Sequence, residues 1–268
     1  MITYREIRES RHLEAIVDLQ ADVWLSSDRE STPHNTLLAV IHQSGSIIGA
    51  LDGDRVVGFT FAFISRFKDE FGMWLHMVAV HPDYQRQGIG FHLKQAHRTW
   101  CLREGYRLMK WTFDPLQRGN ANFNFRQLGG YGATYHVNFY GEMKDGLNLG
   151  MPSDRLELTW DMSSARVEAS ATGNLPYLTS DFPAEAFLLT QCADHTPHQT
   201  VHPPTERYHF VEIPADINRL KKQDMDLALA WRLALRDVMV NTLEQGYQVV
   251  DFVTQDGRSW YVLEKQTI

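Results

Sequence analysis

His81-Pro82-Asp83-Tyr84-Gln85-Arg86-Gln87-Gly88-Ile89-Gly90 breaks an otherwise regular run of sequence, and its reading decides the fold. Before it, Trp74 to Val80 is apolar and strand-like. After it, Ile89, Leu93, Ala96 and Trp100 recur at helical spacing, and Gly105 marks the helix end. A glycine-bearing turn between strand and helix suits an anion. The first N–H groups of a helix lack intrahelical acceptors, the dipole is positive there, and glycine lets the backbone approach closely. Gly-x-Gly alone is a weak signal, because turns use glycine for its positive φ. The loop is not a dinucleotide fingerprint, since position 93 is Leu rather than a third glycine. It is not a Walker A loop either, since no Gly-Lys-Ser/Thr follows.

Working outward from the loop, Ile2 to Arg8 reads as a strand, and Ser10 opens a helix through Val23 and Trp24. A second helix covers His34 to Gln43. Two β-rich runs surround Asp52-Gly53-Asp54, a hairpin signal, and the second continues to Phe67. Lys68 to Gly72 reads as a turn. Downstream, Leu108 to Phe113 is a strand stopped by Asp114-Pro115, and Asn120 to Leu128 a short helix ended by Gly129-Gly130. Tyr135 to Met143 and Leu156 to Met162 read as strands. Ser163 to Gly173, rich in Ser, Ala and Thr, reads as a linker. Beyond it come strands at Ala186 to Thr190 and Tyr208 to Ile213, then a long helix marked by Leu227, Trp231, Leu235, Val238 and Thr242. Strands at Tyr247 to Val253 and Trp260 to Leu263 follow.

The pattern strand, Pro82, helix, Gly105-Tyr106, strand recurs as strand, Pro214, helix, Gly246-Tyr247, strand. The second copy lacks the two loop glycines. Either a degenerate half repeat or one accidental α/β match accounts for this.

The chain has 268 residues, enough for one large domain or two modest ones, and is 43% hydrophobic and 22% charged. Its net charge is −7. Residues 1–164 carry 17 basic and 19 acidic side chains, and residues 165–268 carry 9 and 14. Neither part has the basic excess that nucleic-acid phosphates require. No apolar run is long enough to span a bilayer, and the first residues are not of signal type, so a cytoplasmic location and no membrane partner are expected. The two cysteines, Cys101 and Cys192, form no close pair. His195-x-x-His198-x-x-x-His202, with Cys192 and Asp194, has metal-like spacing, but Pro197, Pro203 and Pro204 make it an irregular loop. No metal is expected. A homo-oligomer is compatible with the sequence.

Gln85-x-x-Gly88-x-Gly90, preceded by Val78-Ala79-Val80-His81-Pro82, resembles the acyl-CoA loop of the GNAT N-acetyltransferase superfamily. The order strand, two helices, hairpin, strand, loop, helix, strand, helix and two strands is also similar. Stretches at 112–115, 138–141 and 152–156 resemble bacterial two-part members. The resemblance implies an α/β fold, a mixed central sheet flanked by helices, over residues 1–162. A linker at 163–173 and a C-terminal α/β extension at 174–268 complete the expected plan.

The same resemblance implies acetyl-CoA or another acyl-CoA, such as a succinyl donor, as co-substrate. The acceptor it implies is a small primary amine, by weak association an amino acid. A non-catalytic CoA-binding regulatory module is the alternative. Met77, Val78, Ala79 and Val80 would pair with the pantetheine arm, the N–H near Val78 facing the thioester carbonyl. The backbone of Gln85, Arg86, Gln87, Gly88, Ile89 and Gly90 would hold the pyrophosphate.

Direct attack by an amine needs no covalent enzyme intermediate, but a general base helps. Strand alternation places Trp74, His76, Val78 and Val80 on one face, so His76 is either that base or a half-buried structural histidine. The family's short helix carries a tyrosine that protonates the leaving thiolate. Counting back from Gly129, that position is Phe125, and its asparagine position is Arg118. Asn120, Asn124 and Phe125 would contact the cofactor, and either another group, such as Tyr140 or Tyr131, supplies the proton or the reaction runs without it. Asn138 to Glu142 either lines the acceptor pocket or is a strand with one wet face.

Overall fold

A computed structural model describes residues 1–24, 31–141, 150–176, 182–200 and 204–266. The chain divides into two compact units, residues 1–111 with 161–163, and residues 112–160 with 164–268.

In the first unit, β1 (Ile2–Glu6) is followed by α1 (Ser10–Trp24) and α2 (His34–His42), then β2 (Ser46–Asp52), β3 (Arg55–Phe67) and β4 (Glu70–Val80). The chain continues into α3 (Ile89–Arg103) and β5 (Leu108–Phe113). The sheet order is β1-β2-β3-β4-β5, antiparallel as far as β4, with β5 parallel to β4. Leu13, Ile16 and Leu19 of α1 and Leu37 and Ile41 of α2 form one core with Ile47, Phe59, Phe61 and Ala79 on one face of this sheet. Their i, i+3, i+6 spacing on α1 is what a single buried helix stripe requires. The expected turn at Lys68 to Gly72 is tighter. Only Lys68 and Asp69 separate β3 from β4, and Lys68 takes the left-handed conformation at φ 53°.

His97 of α3 fixes the other face. Its Nε2 lies 2.6 Å from the Ser46 hydroxyl and its Nδ1 2.8 Å from that of Thr60, all three buried. Burial and the neighbouring Lys94 push its pKa down to about 3. Lys94, one turn earlier, is also buried, with its ammonium nitrogen 3.2 Å from the centroid of the Trp111 ring.

The second unit contains a short helix α4 (Arg118–Asn122) running into a π-helical turn at Phe123–Gln127, then β6 (Tyr131–His136), β7 (Arg155–Asp161) and α5 (Ala165–Ala171). It continues with β8 (Phe187–Gln191), β9 (Pro197–Gln199), β10 (Tyr208–Ile213), α6 (Ile217–Gln223), α7 (Met225–Glu244), β11 (Tyr247–Gln255) and β12 (Arg258–Lys265). Its sheet order is β7-β6-β11-β12-β10-β8-β9, with β8 parallel to β10 and the other pairs antiparallel.

Three expectations change here. The stretch expected to be a linker contains α5, whose N-terminus is capped when Val167 N–H donates to the Ser164 hydroxyl at 3.3 Å. Val167 and Ser170 are buried, and the Ser170 hydroxyl donates to the Arg126 carbonyl at 2.7 Å. The compact units divide between Trp111 and Thr112 rather than near 162, because β6 pairs with β7 on one side and with β11 on the other. Finally, the echo does not superpose strand for strand. β4 pairs directly with β5, whereas β12 lies between β10 and β11.

Candidate functional site

The strand, loop and helix that the sequence singled out come together in the first unit. β4 pairs with β3 along its length, but with β5 only at Met73↔Met109 and Trp74↔Lys110. Beyond Trp74 its second edge therefore runs on unpaired among the described residues of this unit. His81 N–H donates to the Val57 carbonyl at 2.9 Å. Backbone groups alternate sides along a strand, so Met77 and Ala79 face β3, while Val78 and Val80 turn theirs to the unpaired edge. An edge of this kind is a template for another extended chain.

The register with β3 slips at one point. Phe61 pairs with Met77 and Ala62 with Leu75, leaving His76 as an extra residue in β4. This bulge breaks the alternation expected from sequence. His76 does not share a face with Val78. Its ring lies 6.1 Å from Phe61 and 6.0 Å from Phe63, on the side of Met77 and the α1–α2 core. Thr60, the partner of Val78, faces α3 instead. The His76 ring keeps accessible surface, yet the surrounding protein desolvates it enough to lower its pKa from the ordinary value. It is the neutral form, able to accept a proton, that prevails at pH 7.

The loop after β4 is held by its own side chains. Gln85 Nε2 donates to the Val80 carbonyl and Gln87 Nε2 to the Asp83 carbonyl, both at 3.1 Å. Tyr84 donates its hydroxyl hydrogen to Asp52 at 3.0 Å, and Arg55 Nη2 lies 3.1 Å from His81 Nε2, tying the loop to the β2–β3 hairpin. Arg86 and Gly88 adopt positive φ, 61° and 77°, and Gly88 is the residue from which α3 starts. No side chain caps that helix end. A Cβ at Gly90 would meet nothing within 4 Å. An uncapped helix start with an open glycine position beside it is an arrangement suited to a pyrophosphate. The site residues Met77 to Val80 and Gln85 to Gly90 fit an extended thiol arm ending in a diphosphate.

Asn120, Asn124, Phe125 and Tyr140 belong to the second unit. Asn120 is exposed and Asn124 buried. Phe125 is fully buried, its ring 6.2 Å from Phe113 and 5.8 Å from Tyr261. The π-helical turn brings it there, with Leu128 N–H donating to the Phe123 carbonyl at 2.9 Å. Tyr140 lies in a turn rather than a strand, 51% exposed, with the Arg155 guanidinium 5.2 Å from its ring centroid. The expected strand ends at His136, since Asn138 takes a positive φ of 48°. Glu142 and Met143 lie outside the described residues. Tyr131 starts β6 and is partly buried.

The histidine-rich loop forms a hairpin between β8 and β9, with His195 Nδ1 2.8 Å from Gln191 Nε2. His202 lies outside the described residues. Among the described residues there is no group of three or more His, Cys, Asp or Glu able to hold a metal. Among them, too, no helix is long and apolar enough to cross a membrane.

Sequence reasoning missed a polar cluster in the second unit. Arg236 of α7 makes two bonds of 2.9 Å to buried Asp154, which also accepts from the Tyr135 hydroxyl and from Asn138 N–H at 2.9 Å. Arg232, one turn earlier on α7, donates from Nη2 to Asp114 at 2.7 Å. The arginines at i and i+4 on α7 were the available signal.

No match is found among curated proteins. Among solved structures, a GNAT-family protein from Desulfovibrio desulfuricans is similar, with 15% identity and a TM-score of 0.50, covering 61% of this chain and 100% of its own. The ribosomal-protein-S18-alanine N-acetyltransferase of Escherichia coli is 20% identical over 62% of this chain and 96% of its own, with a TM-score of 0.49. At such identities the first of these shows the fold. Residues 13–129 match the model of the Acetyltransferase (GNAT) family, so this part of the chain is a GNAT acetyltransferase domain.

Proposed function

We propose that the chain transfers an acyl group from acyl-CoA, acetyl or another short acyl such as succinyl, to a small primary amine by direct attack on the thioester. The unpaired edge of β4, leading into the uncapped start of α3, carries this reading. The pantetheine arm lies along Met77 to Val80 as an added strand. The diphosphate takes N–H groups from Arg86 to Gly90. The Val78 N–H, directed to that edge, donates to the thioester oxygen as it gains charge in the tetrahedral intermediate. His76, neutral and two residues away, takes the proton from the attacking amine directly or through a water.

Phe125 cannot donate a proton to the departing thiolate. A free thiol has a pKa of about 8.5, so the thiolate leaves unaided at some cost, or Tyr140 serves. The lack of a donor at Phe125 also favours a second reading, a CoA-binding module without turnover. Thiol release from acetyl-CoA and succinyl-CoA, measured with a panel of primary amines, separates the two. Amine-dependent release supports the transferase. Tight CoA binding with no release from any amine overturns it in favour of the binding module.

A further inference from the structure

His81 is offered more donors than it can accept. Its Nδ1 faces the Asp83 N–H at 3.2 Å, the contact that caps the short turn Pro82–Tyr84. Its Nε2 faces Arg55 Nη2 at 3.1 Å. A backbone N–H only donates, and a guanidinium only donates and stays protonated. A neutral imidazole has one acceptor nitrogen, and an imidazolium has none. One of the two contacts therefore always sets N–H against N–H. The Asp83 carboxylate, 3.7 Å from Nδ1, accepts a proton held there only at the expense of the cap.

The aspartates beside Arg55 are engaged elsewhere. Asp52 is its cross-strand partner, and the Asp52 carboxylate takes the Tyr84 hydroxyl at 3.0 Å and the N-terminal ammonium at 3.8 Å. Asp54 is held by Arg11 at 2.6 Å and by His12 Nε2 at 3.1 Å. Besides His81, Arg55 meets the Tyr84 ring, whose centroid lies 5.7 Å from Cζ. A single oxygen acceptor between Nη2 and Nε2 removes the conflict. His81 then carries its proton on Nε2, Nδ1 accepts from Asp83, and both Nε2–H and Nη2–H donate to the oxygen. Arg55 is exposed, and it lines one surface cleft with His81, so a ligand has access. An anionic oxygen also pairs the guanidinium charge, which a water does not. Asp18, Asp22 and Asp54 line the same cleft. Their charge disfavours a loose anion and favours one tethered to a group held by the adjoining loop, Arg86 to Gly90.

We propose that Arg55 and His81 together bind a phosphate oxygen of the acyl-CoA, from its ribose 3′-phosphate or its diphosphate. The inference rests on reading the loop after β4 as the CoA site. It does not depend on acyl transfer.

The test uses the full chain with nitrogen-labelled histidine. The His81 ring signals, assigned by their loss in His81→Gln, report which nitrogen carries the proton. Titration with CoA should drive His81 to the Nε2–H form, and pantetheine, which has no phosphate, should not. Calorimetry should find CoA binding about tenfold weaker in Arg55→Gln, since a hydrogen bond to a charged group is worth about that much, with Arg55→Lys in between. The melting temperature should hold in both variants. A loss that disappears with dephospho-CoA assigns the 3′-phosphate, and an equal loss with CoA and dephospho-CoA assigns the diphosphate. A His81 response to inorganic phosphate alone overturns CoA as the ligand. His81 unmoved by CoA, or moved equally by pantetheine, overturns the site, as does undiminished CoA affinity in Arg55→Gln. A His81 response to CoA without thiol release from any amine would sink the transferase and leave this site standing. Amine-dependent release with His81 unmoved would do the reverse.

Discussion

His76 and Val78, two residues apart on β4, stand on opposite faces of the strand, because the bulge opposite Phe61 inserts His76 as an extra residue. The base and the oxyanion donor proposed here therefore come from one strand without crowding each other. An acceptor amine would approach from the side of Phe61, Phe63 and His76, while the Val78 N–H points along the sheet. His76→Ala should lower kcat/KM by about 100-fold or more. Burial lowers the His76 pKa, so the acidic limb of the wild-type profile should fall below pH 6.5, and it should vanish in the variant. Gln at this position should not restore the rate. A variant keeping both rate and limb would eliminate His76 as the base.

The two loop glycines should separate folding from binding. Gly90→Glu adds a side chain where a Cβ meets nothing, so the melting temperature should hold while calorimetry finds CoA binding lost. Gly88→Ala should instead destabilise by about 1–2 kcal/mol, because its φ of 77° strains any Cβ-bearing residue. The wild type should bind one CoA per chain.

Phe125→Tyr places a hydroxyl among Phe113 and Tyr261 in a fully buried setting. Without a partner it should cost on the order of 1–3 kcal/mol, read as a lowered denaturant midpoint. Activity assayed below the melting range should persist. A raised kcat with unchanged stability would show instead that the hydroxyl reaches a reacting thiolate.

A fragment ending at Ser164 should aggregate. It would lose β11 from the edge of β6, Tyr261 from Phe125 and Asp251 from Arg126, which donates to it at 2.9 Å. A soluble, monomeric fragment with full activity on gel filtration would refute this.

His97 should make the fold acid-sensitive. Its pKa is about 3 when folded against 6.5 ordinarily, so the unfolded chain binds more protons between those values. Its contribution is complete above pH 6.5 and declines as pH falls toward 3. Urea midpoints should fall between pH 7 and pH 5 in the wild type, and less steeply in His97→Gln.

The first unit was largely legible because its signals are local. Gly53 and Asp54 mark the hairpin, the Pro82-to-Gly90 loop marks the turn into α3, and the leucines of α1 mark its buried stripe. The bulge at His76 was not legible, since it arises from pairing with Phe61 across the sheet rather than from anything in residues 74–80. The helical state of Ala165–Ala171 was hidden by its small residues, whose burial depends on Arg126 and Gly129, about 40 residues earlier. Arg232 escaped a reading that followed only the apolar stripe of α7, since its meeting with Asp114 joins residues distant in sequence.

The division of the chain into interleaved units bears on its birth at the ribosome. The first unit needs Asp161–Ser163 to finish, since Arg98 Nε donates to the Met162 carbonyl at 2.6 Å. By then β6 and β7 have been made, but β11, the partner for the outer edge of β6, begins only at Tyr247. At typical elongation rates that delay is on the order of 5–20 s. Throughout it a nascent hairpin presents an unpaired edge in a crowded cell. Slow codons between 164 and 247 would prolong the exposure, whereas faster translation of that stretch would raise the yield of folded protein.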